Sequence, residues 1–169
     1  MIRKKKKFNK PRKPFEGTRI KNEDLLVLQF GLKNKKEIWK TQAKVDYFRS
    51  RAKTLVRSSL EEQEVLFNKL RAIGLKVNSI ADVLGLKVED LLNRRLPTVL
   101  VKKGLATKPK QARQFVIHKK VLINNQVVDS PSYLVPIEYE SSIKVKVIKP
   151  LVVKKAEESQ ETEVTMEKN

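Results

Sequence analysis

The chain has no cysteine and only one histidine. The first absence excludes a disulfide framework and any thiolate metal site, and the second leaves a zinc site almost without nitrogen ligands, so neither a structural metal nor a cofactor is expected. Aromatic residues make up 6% of the chain, too few for a platform that reads bases by stacking. Acids are also scarce, with 19 Asp and Glu against 38 Lys and Arg, for a formal charge of +19. So many like charges repel in any compact state and are seldom kept without a polyanion to neutralise them. Nucleic acid is the first expectation for a partner and an anionic membrane surface the second. No apolar run approaches the length of a membrane-spanning helix, and MIRKKKK lacks the apolar core of a secretory signal. A soluble, cytoplasmic protein is expected. With 169 residues the chain forms one ordinary domain or two small ones, which argues against an enzyme with a lid and a cofactor domain.

Composition, periodicity and turn chemistry agree best between Arg94 and Pro136. Two helical patterns, Leu96 to Lys103 and Lys108 to His118, lead into two β-rich runs, Val121 to Ile123 and Gln126 to Val128. Asn124 and Asn125 join those runs, and both tolerate the positive φ that a tight hairpin requires. Thr107 stands where a helix N-cap is wanted, with Pro109 in the first turn, where a missing donor costs little. On the second helix Ala112, Phe115 and Val116 share an apolar face. Lys110, Arg113, Gln114 and His118, linked by steps of three and four, make a polar stripe. Arg and Lys neutralise phosphates, while Gln and His donate to phosphates or base edges. Arg94 and Arg95 read as a phosphate clamp, with an ion pair to Glu89 or Asp90 as the structural alternative. His118 has no nucleophile or carboxylate partner nearby in sequence, so a hydrogen-bonding or structural role is expected.

Residues 1–16 hold eight Lys or Arg and no acid before Glu16, and they lack an apolar period. They read as a disordered basic arm, with Lys4, Lys5, Lys6 and Lys7 threading along phosphates. A helix is expected from an Asn22 cap to Phe30, with Gly31 ending it. Asn34 and Glu37 suggest a capping box for a longer helix running to about Arg57, with Ile38, Val45, Phe48, Ala52 and Leu55 on one buried face. Lys36, Lys40, Lys44 and Arg51 form one basic row beside that face, and Arg49, Lys53 and Arg57 form another; phosphate contact is the favoured reading of both. Trp39 reads as a packing residue. Ser59 and Glu62 suggest a second capping box for a helix that Gly74 stops. Short helices follow from Ser79 to Gly85 and from Val88 to Arg95. Beyond the centre, Ile143, Val145 and Val147 alternate with Lys144 and Lys146 as a strand that Pro150 limits. The end, from 151, is an acidic polar tail.

The run from Arg94 to Pro136, RRLPTVLVKKGLATKPKQARQFVIHKKVLINNQVVDSPSYLVP, resembles the RNA-binding module named after ribosomal protein four of the small subunit. LKNKKEIWK and DVLGLKVEDLLNRRL resemble the preceding helices of that ribosomal protein in its archaeal and eukaryotic form. The resemblance covers roughly residues 20 to 150, and its most restrictive part is A-R-Q-x-x-x-x-H followed by a hydrophobic hairpin and PSYLV. It implies an α+β protein: an N-terminal all-helical subdomain, 17–93, then a small module, 94–150, of two helices packed on a short, mostly antiparallel sheet. Disordered tails flank both.

By the same resemblance the protein binds small-subunit ribosomal RNA directly and early in assembly. It would nucleate the subunit body, neighbour other small-subunit proteins including number five, lie near the messenger RNA entry channel and contribute to translational accuracy. No membrane partner is implied. The implied RNA-facing residues are Arg94, Arg95, Lys108, Lys110, Arg113, Gln114 and His118; Lys103, Lys119 and Lys120 join them on charge and placement. Three positions depart from the usual pattern: Pro97 replaces a polar residue, so a helix should start there. Asn125 replaces a turn glycine, a change that left-handed geometry tolerates; Lys119 replaces a frequent glycine, so the backbone there should differ. The metal-binding cysteines of some bacterial relatives are missing. A rival reading is an RNA-modifying enzyme or RNA chaperone with the same module. Charge reversal at Arg113 is expected to weaken RNA binding and leave the fold intact.

Overall fold

The computed structural model describes residues 6–146. Lys4, Lys5, Val147, Pro150 and the tail from 151 lie outside them. Lys6 to Glu16 adopt no helix or strand and are mostly exposed. Phe8 lies against Trp39 with ring centroids 6.1 Å apart, and Arg19 donates to the carbonyls of Lys13 and Pro14 at 3.1 and 2.8 Å.

Five helices follow: α1 (Gly17–Phe30), α2 (Lys35–Leu55), α3 (Leu60–Ile73), α4 (Ile80–Gly85) and α5 (Val88–Asn93). The first starts at Gly17, upstream of the expected Asn22 cap, and Glu16 at its N-cap makes no side-chain capping bond. Tertiary and i,i+4 contacts hold this extra length instead. Glu23 is buried, accepting from Arg19 at 2.7 Å and from the Trp39 indole N–H at 3.0 Å. Two expected capping boxes are corrected as well. Asn34 and Ser59 occupy N-cap positions but make no side-chain cap bond; at Asn34 the Glu37 N–H donates to the Asn34 backbone carbonyl at 3.0 Å, and the Glu37 carboxylate turns toward two arginines. The box that does form joins Ser79 and Asp82: the serine N–H donates to the carboxylate at 2.9 Å, and the Asp82 N–H donates to the hydroxyl at 3.3 Å. α4 ends at Gly85 as expected, with Gly85 as its last helical residue and Leu86 as its C-cap.

The long α2 is the spine of this half, packed by α1, α3, α4 and α5. Its expected face is buried throughout: Ile38, Val45, Phe48, Ala52 and Leu55. Val45 to Leu55 join Leu66, Phe67, Leu70, Leu75, Val77, Val83, Leu86 and Leu91 in one core. Ile38 joins Phe30, Leu32 and Leu92 in a second. Consecutive leucines on α5, Leu91 and Leu92, thus enter different cores because they point about 100° apart on a helix.

The second half contains α6 (Leu96–Lys102), α7 (Pro109–Ile117), β1 (Val121–Ile123), β2 (Gln126–Val127), α8 (Ile137–Glu140) and β3 (Ile143–Val145). α6 begins at Leu96, one residue before Pro97. The N-cap of α7 is Lys108, not Thr107; the Thr107 hydroxyl donates sideways to Gln111 Oε1 at 2.6 Å. β1 is central in an antiparallel sheet of order β2-β1-β3, with Leu122 opposite Val127 and Ile123 opposite Ile143. The hairpin turns through Asn124 and Asn125 at φ 48° and 64°, the two left-handed residues a tight turn of this hand needs. Leu96, Val99, Leu100, Ala112, Val116, Val121, Ile123, Val135 and Ile143 fill this core. α8 has only four residues and shows no apolar period, so nothing in its sequence announced it.

The segment before α8 ties back onto the start of the module and reaches the helical half through Leu134. Arg95 and Leu134 form an antiparallel bridge, Leu96 N–H donates to the Tyr133 carbonyl at 2.9 Å and Val135 N–H to the Arg94 carbonyl at 3.0 Å. Leu134 also packs on the core of the helical half. Among the described residues no helix is long and apolar enough to cross a membrane.

At Gly31, φ is 59° and an added Cβ would lie 2.8 Å from the Pro109 carbonyl carbon, whereas at Gly104, φ 70°, it would meet nothing within 4 Å. Both substitutions to alanine carry left-handed strain of about 1 kcal/mol or more. Gly31→Ala must also separate α1 from the start of α7, so urea unfolding should show it clearly less stable than Gly104→Ala. Equal losses would mean that the close approach contributes nothing.

Candidate nucleic-acid interface

The sequence pattern treats its arginines as outward-facing, but several turn inward. Arg94 spans the module: Nε donates to the Ile73 carbonyl at 2.7 Å, and Nη2 donates to the Val135 carbonyl at 2.9 Å and to Glu140 at 3.1 Å. Arg95 is buried, donating to Glu37 at 2.6 Å and to the Pro131 carbonyl at 3.3 Å. The expected exposed clamp is therefore corrected, and so is the alternative pairing to Glu89 or Asp90; the partners are Glu140 and Glu37, distant in sequence. Arg113 leaves the expected stripe to grip both oxygens of Glu37, at 3.1 and 2.8 Å. Its reversal to Glu would set two carboxylates face to face, so that variant would not leave the fold untouched. Arg49, expected on a phosphate row, donates to the Leu86 carbonyl at 2.7 Å across the α2–α4 contact.

Glu37 is the hub of this cluster. Burial raises the pKa of its carboxyl, but hydrogen bonds from Arg113 and Arg95, reinforced by their charge, outweigh that and hold it below its ordinary value. Each planar guanidinium can offer parallel donors to a carboxylate, and Arg113 does so.

The lysines stay outside. Lys103, Lys108, Lys110, Gln114, His118 and Lys119 are exposed around the ends of α6 and α7. Lys120 is half-buried, its ammonium 5.8 Å from the centre of the Phe115 ring. Among the described residues none of these lysines forms an ion pair. Lys110, Gln114 and His118 still share one side of α7. His118 is its C-cap, and the end is built by Lys119 N–H bonding to the Val116 carbonyl and Lys120 N–H to that of Phe115, both at 3.0 Å. This is a Schellman closure, which places Lys119 at the left-handed position usually given to glycine. Its φ is 57°. The backbone therefore keeps the glycine conformation, contrary to the expectation that it would differ. Lys6, Lys7, Lys53 and Arg57 are also exposed; Lys53 is in the last turn of α2, and Arg57 lies in the turn after it, because the helix stops at Leu55, short of the expected Arg57.

Between the two halves lies a cleft of about 1000 Å³ lined by Lys7, Lys40, Lys44, Glu37, Arg95 and Arg113 among others. The basic row of α2 indicated Lys40 and Lys44 as cations; their meeting with Arg95 depends on tertiary packing. Among the described residues no group of three or more His, Asp or Glu is placed to hold a metal ion.

An α+β scaffold that turns Arg94, Arg95 and Arg113 inward and leaves lysines, a glutamine and a histidine around one helix end is built to meet a polyanion. A family model described as the S4 domain matches residues 94–140, so the Arg94–Glu140 ion pair joins its first and last residues. Over most of the chain the similarity is to small ribosomal subunit protein uS4. The Methanococcus aeolicus protein is 42% identical over 145 residues, covering 82% of this chain and 82% of its own. The Nanoarchaeum equitans protein is 39% identical over 175 residues, covering 96% and 97%, and the Picrophilus torridus protein 40% identical over 147 residues, covering 82% and 80%. The chain belongs to the small ribosomal subunit protein uS4 family, in its archaeal type. It is accordingly a ribosomal protein and not an enzyme.

Glu37→Gln would leave Arg95 buried without its counter-charge, a loss of about 3 kcal/mol by analogy with broken buried pairs. Because the folded carboxyl lies below its ordinary 4.5, its contribution is complete above that value and fades as pH falls through the depressed one. The stability gap between wild type and Glu37→Gln should therefore be wide at neutral pH and close in acid. Urea unfolding midpoints at both pH values check this; a pH-independent gap would show that the pair is not what the variant lost.

Proposed function

We propose that the protein is a structural constituent of the small ribosomal subunit that binds its ribosomal RNA directly through the exposed ends of α6 and α7. The observation that carries this reading is the sorting of cations around the module: Arg94, Arg95 and Arg113 are spent on internal carbonyls and carboxylates, while Lys103, Lys108, Lys110, Lys119 and Lys120 remain unpaired among the described residues beside Gln114 and His118. Phosphate neutralisation by those lysines supplies affinity, and the rigid helix and hairpin supply the match to a folded RNA. The names of the uS4 relatives, and the S4 domain at 94–140, support it.

In this reading residues 17–93 form the helical subdomain and 94–150 the RNA-binding module, with 1–16 and 151–169 as basic and acidic tails. Lys4, Lys5, Lys6 and Lys7 reach further phosphates, and Lys53 and Arg57 contact RNA at the end of α2 and in the turn that follows it. The protein binds early, nucleates the subunit body, neighbours protein number five near the messenger RNA entry channel and contributes to translational accuracy. It acts in the cytoplasm, as part of the ribosome.

Lys110→Glu should weaken binding to small-subunit rRNA by about ten-fold or more without lowering the unfolding midpoint, because its side chain is exposed and the change replaces a phosphate contact with repulsion. Filter binding with a parallel thermal melt checks it; wild-type affinity would move the interface elsewhere. Lys119→Gly should do two opposite things. Relieving the left-handed lysine should stabilise the fold by about 1 kcal/mol, and losing the charge should weaken RNA binding and flatten its salt dependence. A destabilised Lys119→Gly would mean that the lysine side chain packs usefully where it stands.

A further inference from the structure

We infer that the pocket between α1, α2, α5 and the arm before α1 is a docking site for an arginine-bearing segment of a neighbouring small-subunit protein. The inference rests on the ribosomal reading above and adds to it a site and the chemistry of a partner. The pocket has a volume of about 500 Å³, within the range of built binding sites. Its charge is the reverse of the chain's. Glu16, Glu23 and Asp46 line it against two cations, Lys10 and Arg19, in a chain with 38 Lys and Arg to 19 Asp and Glu. That balance repels a phosphate backbone and attracts a basic side chain.

A second observation is independent of this charge count. Glu23 is only 7% exposed. Its Oε1 accepts from Arg19 at 2.7 Å and from the Trp39 indole at 3.0 Å, but its Oε2 is buried with no hydrogen-bond donor. Lys35 Nζ stands 3.9 Å from Oε2 and is engaged by Asp24 at 2.7 Å. In the same wall Arg19 Nε is buried without an acceptor, while its other two nitrogens donate to Glu23 and to the carbonyls of Lys13 and Pro14. A buried acceptor and a buried donor are thus both unmatched, which is costly.

An arginine-bearing segment answers both, its guanidinium donating to Glu23 Oε2 and a backbone carbonyl accepting from Arg19 Nε. The protein already uses this arrangement once, at Glu37, where each carboxylate oxygen takes an arginine. Glu23 has one arginine and one unmatched oxygen. Trp39, the chain's single tryptophan, lines the pocket with Leu26, Ile38 and Val88. Against such walls a guanidinium plane stacks and its methylene stem packs, and the compact ammonium of lysine has no such plane.

Because the chain has no cysteine, Asn22→Cys, at an exposed position lining the pocket, carries a benzophenone at one known place. The labelled full chain is assembled into small ribosomal subunits and irradiated, and the attached residue is located by mass spectrometry. The adduct should fall on another ribosomal protein, beside an arginine. Adding Glu16→Gln and Asp46→Asn, both exposed and neither bonded to Glu23, should cut its yield about five-fold, the scale of two exposed ion pairs. Filter binding of that variant to isolated small-subunit rRNA should match wild type or tighten, since only acids have been removed.

An adduct on an rRNA nucleotide would overturn the docking site in favour of a base pocket, and one confined to this chain would overturn it in favour of self-closure. A protein adduct remote from any arginine, or a yield that the acid variant leaves unchanged, would overturn it as well. In all four cases the chain has entered the subunit, so the ribosomal reading stands. A chain that neither binds rRNA nor enters the subunits would defeat that reading and the docking site with it.

Discussion

One carboxylate holds the molecule's two halves in register. Glu37 sits in the first turn of α2, and the guanidinium groups of Arg95, just before α6, and Arg113, in the middle of α7, converge on it. All three elements that shape the basic surface are thereby tied to one point. The arrangement is also economical in charge. In a chain of formal charge +19 a scarce acid spent on two arginines leaves the lysines to face solvent, and it fixes the angle between the cleft and the exposed end of α7. Arg94 repeats the device on the other side, joining the end of α3, the Val135 carbonyl and Glu140.

The division of labour between arginine and lysine follows from their chemistry. Guanidinium is planar, offers several fixed donors and is weakly hydrated, so it can cap carbonyls in a half-buried site at modest desolvation cost. Arg19, Arg49, Arg71, Arg94, Arg95 and Arg113 all donate to protein acceptors. Ammonium is compact and strongly hydrated, which favours exposure. Lysines consequently carry most of the charge available to RNA, and a rigid body carries the lysines. A surface of this kind recognises the shape of a folded phosphate backbone more readily than a base sequence, in keeping with the few aromatic residues.

Much of the fold was legible because it depends on local pattern. The buried face of α2, the two helices of the module, the Asn124–Asn125 hairpin and the glycine stop at Gly31 all follow from periodicity or from φ preferences that act within a few residues. Errors gathered where a side chain found a partner far along the chain. The expected box at the start of α2 does not close because the Glu37 carboxylate is drawn to residues 58 and 76 positions away. α1 begins before Asn22 because Trp39 and Arg19 stabilise Glu23. Lys119 kept a glycine conformation because the Schellman closure and the entry to β1 leave the chain no other exit.

The sequence by itself determined the class of partner, the α+β order of elements and the family, since net charge, hydrophobic period and turn residues are local or additive properties that survive without coordinates. Which cations face that partner was decided only by tertiary structure. An arginine and a lysine count alike in composition, but whether either is free depends on acceptors brought within 3 Å or so by packing, and hydrogen bonds of that length have no signature in linear spacing.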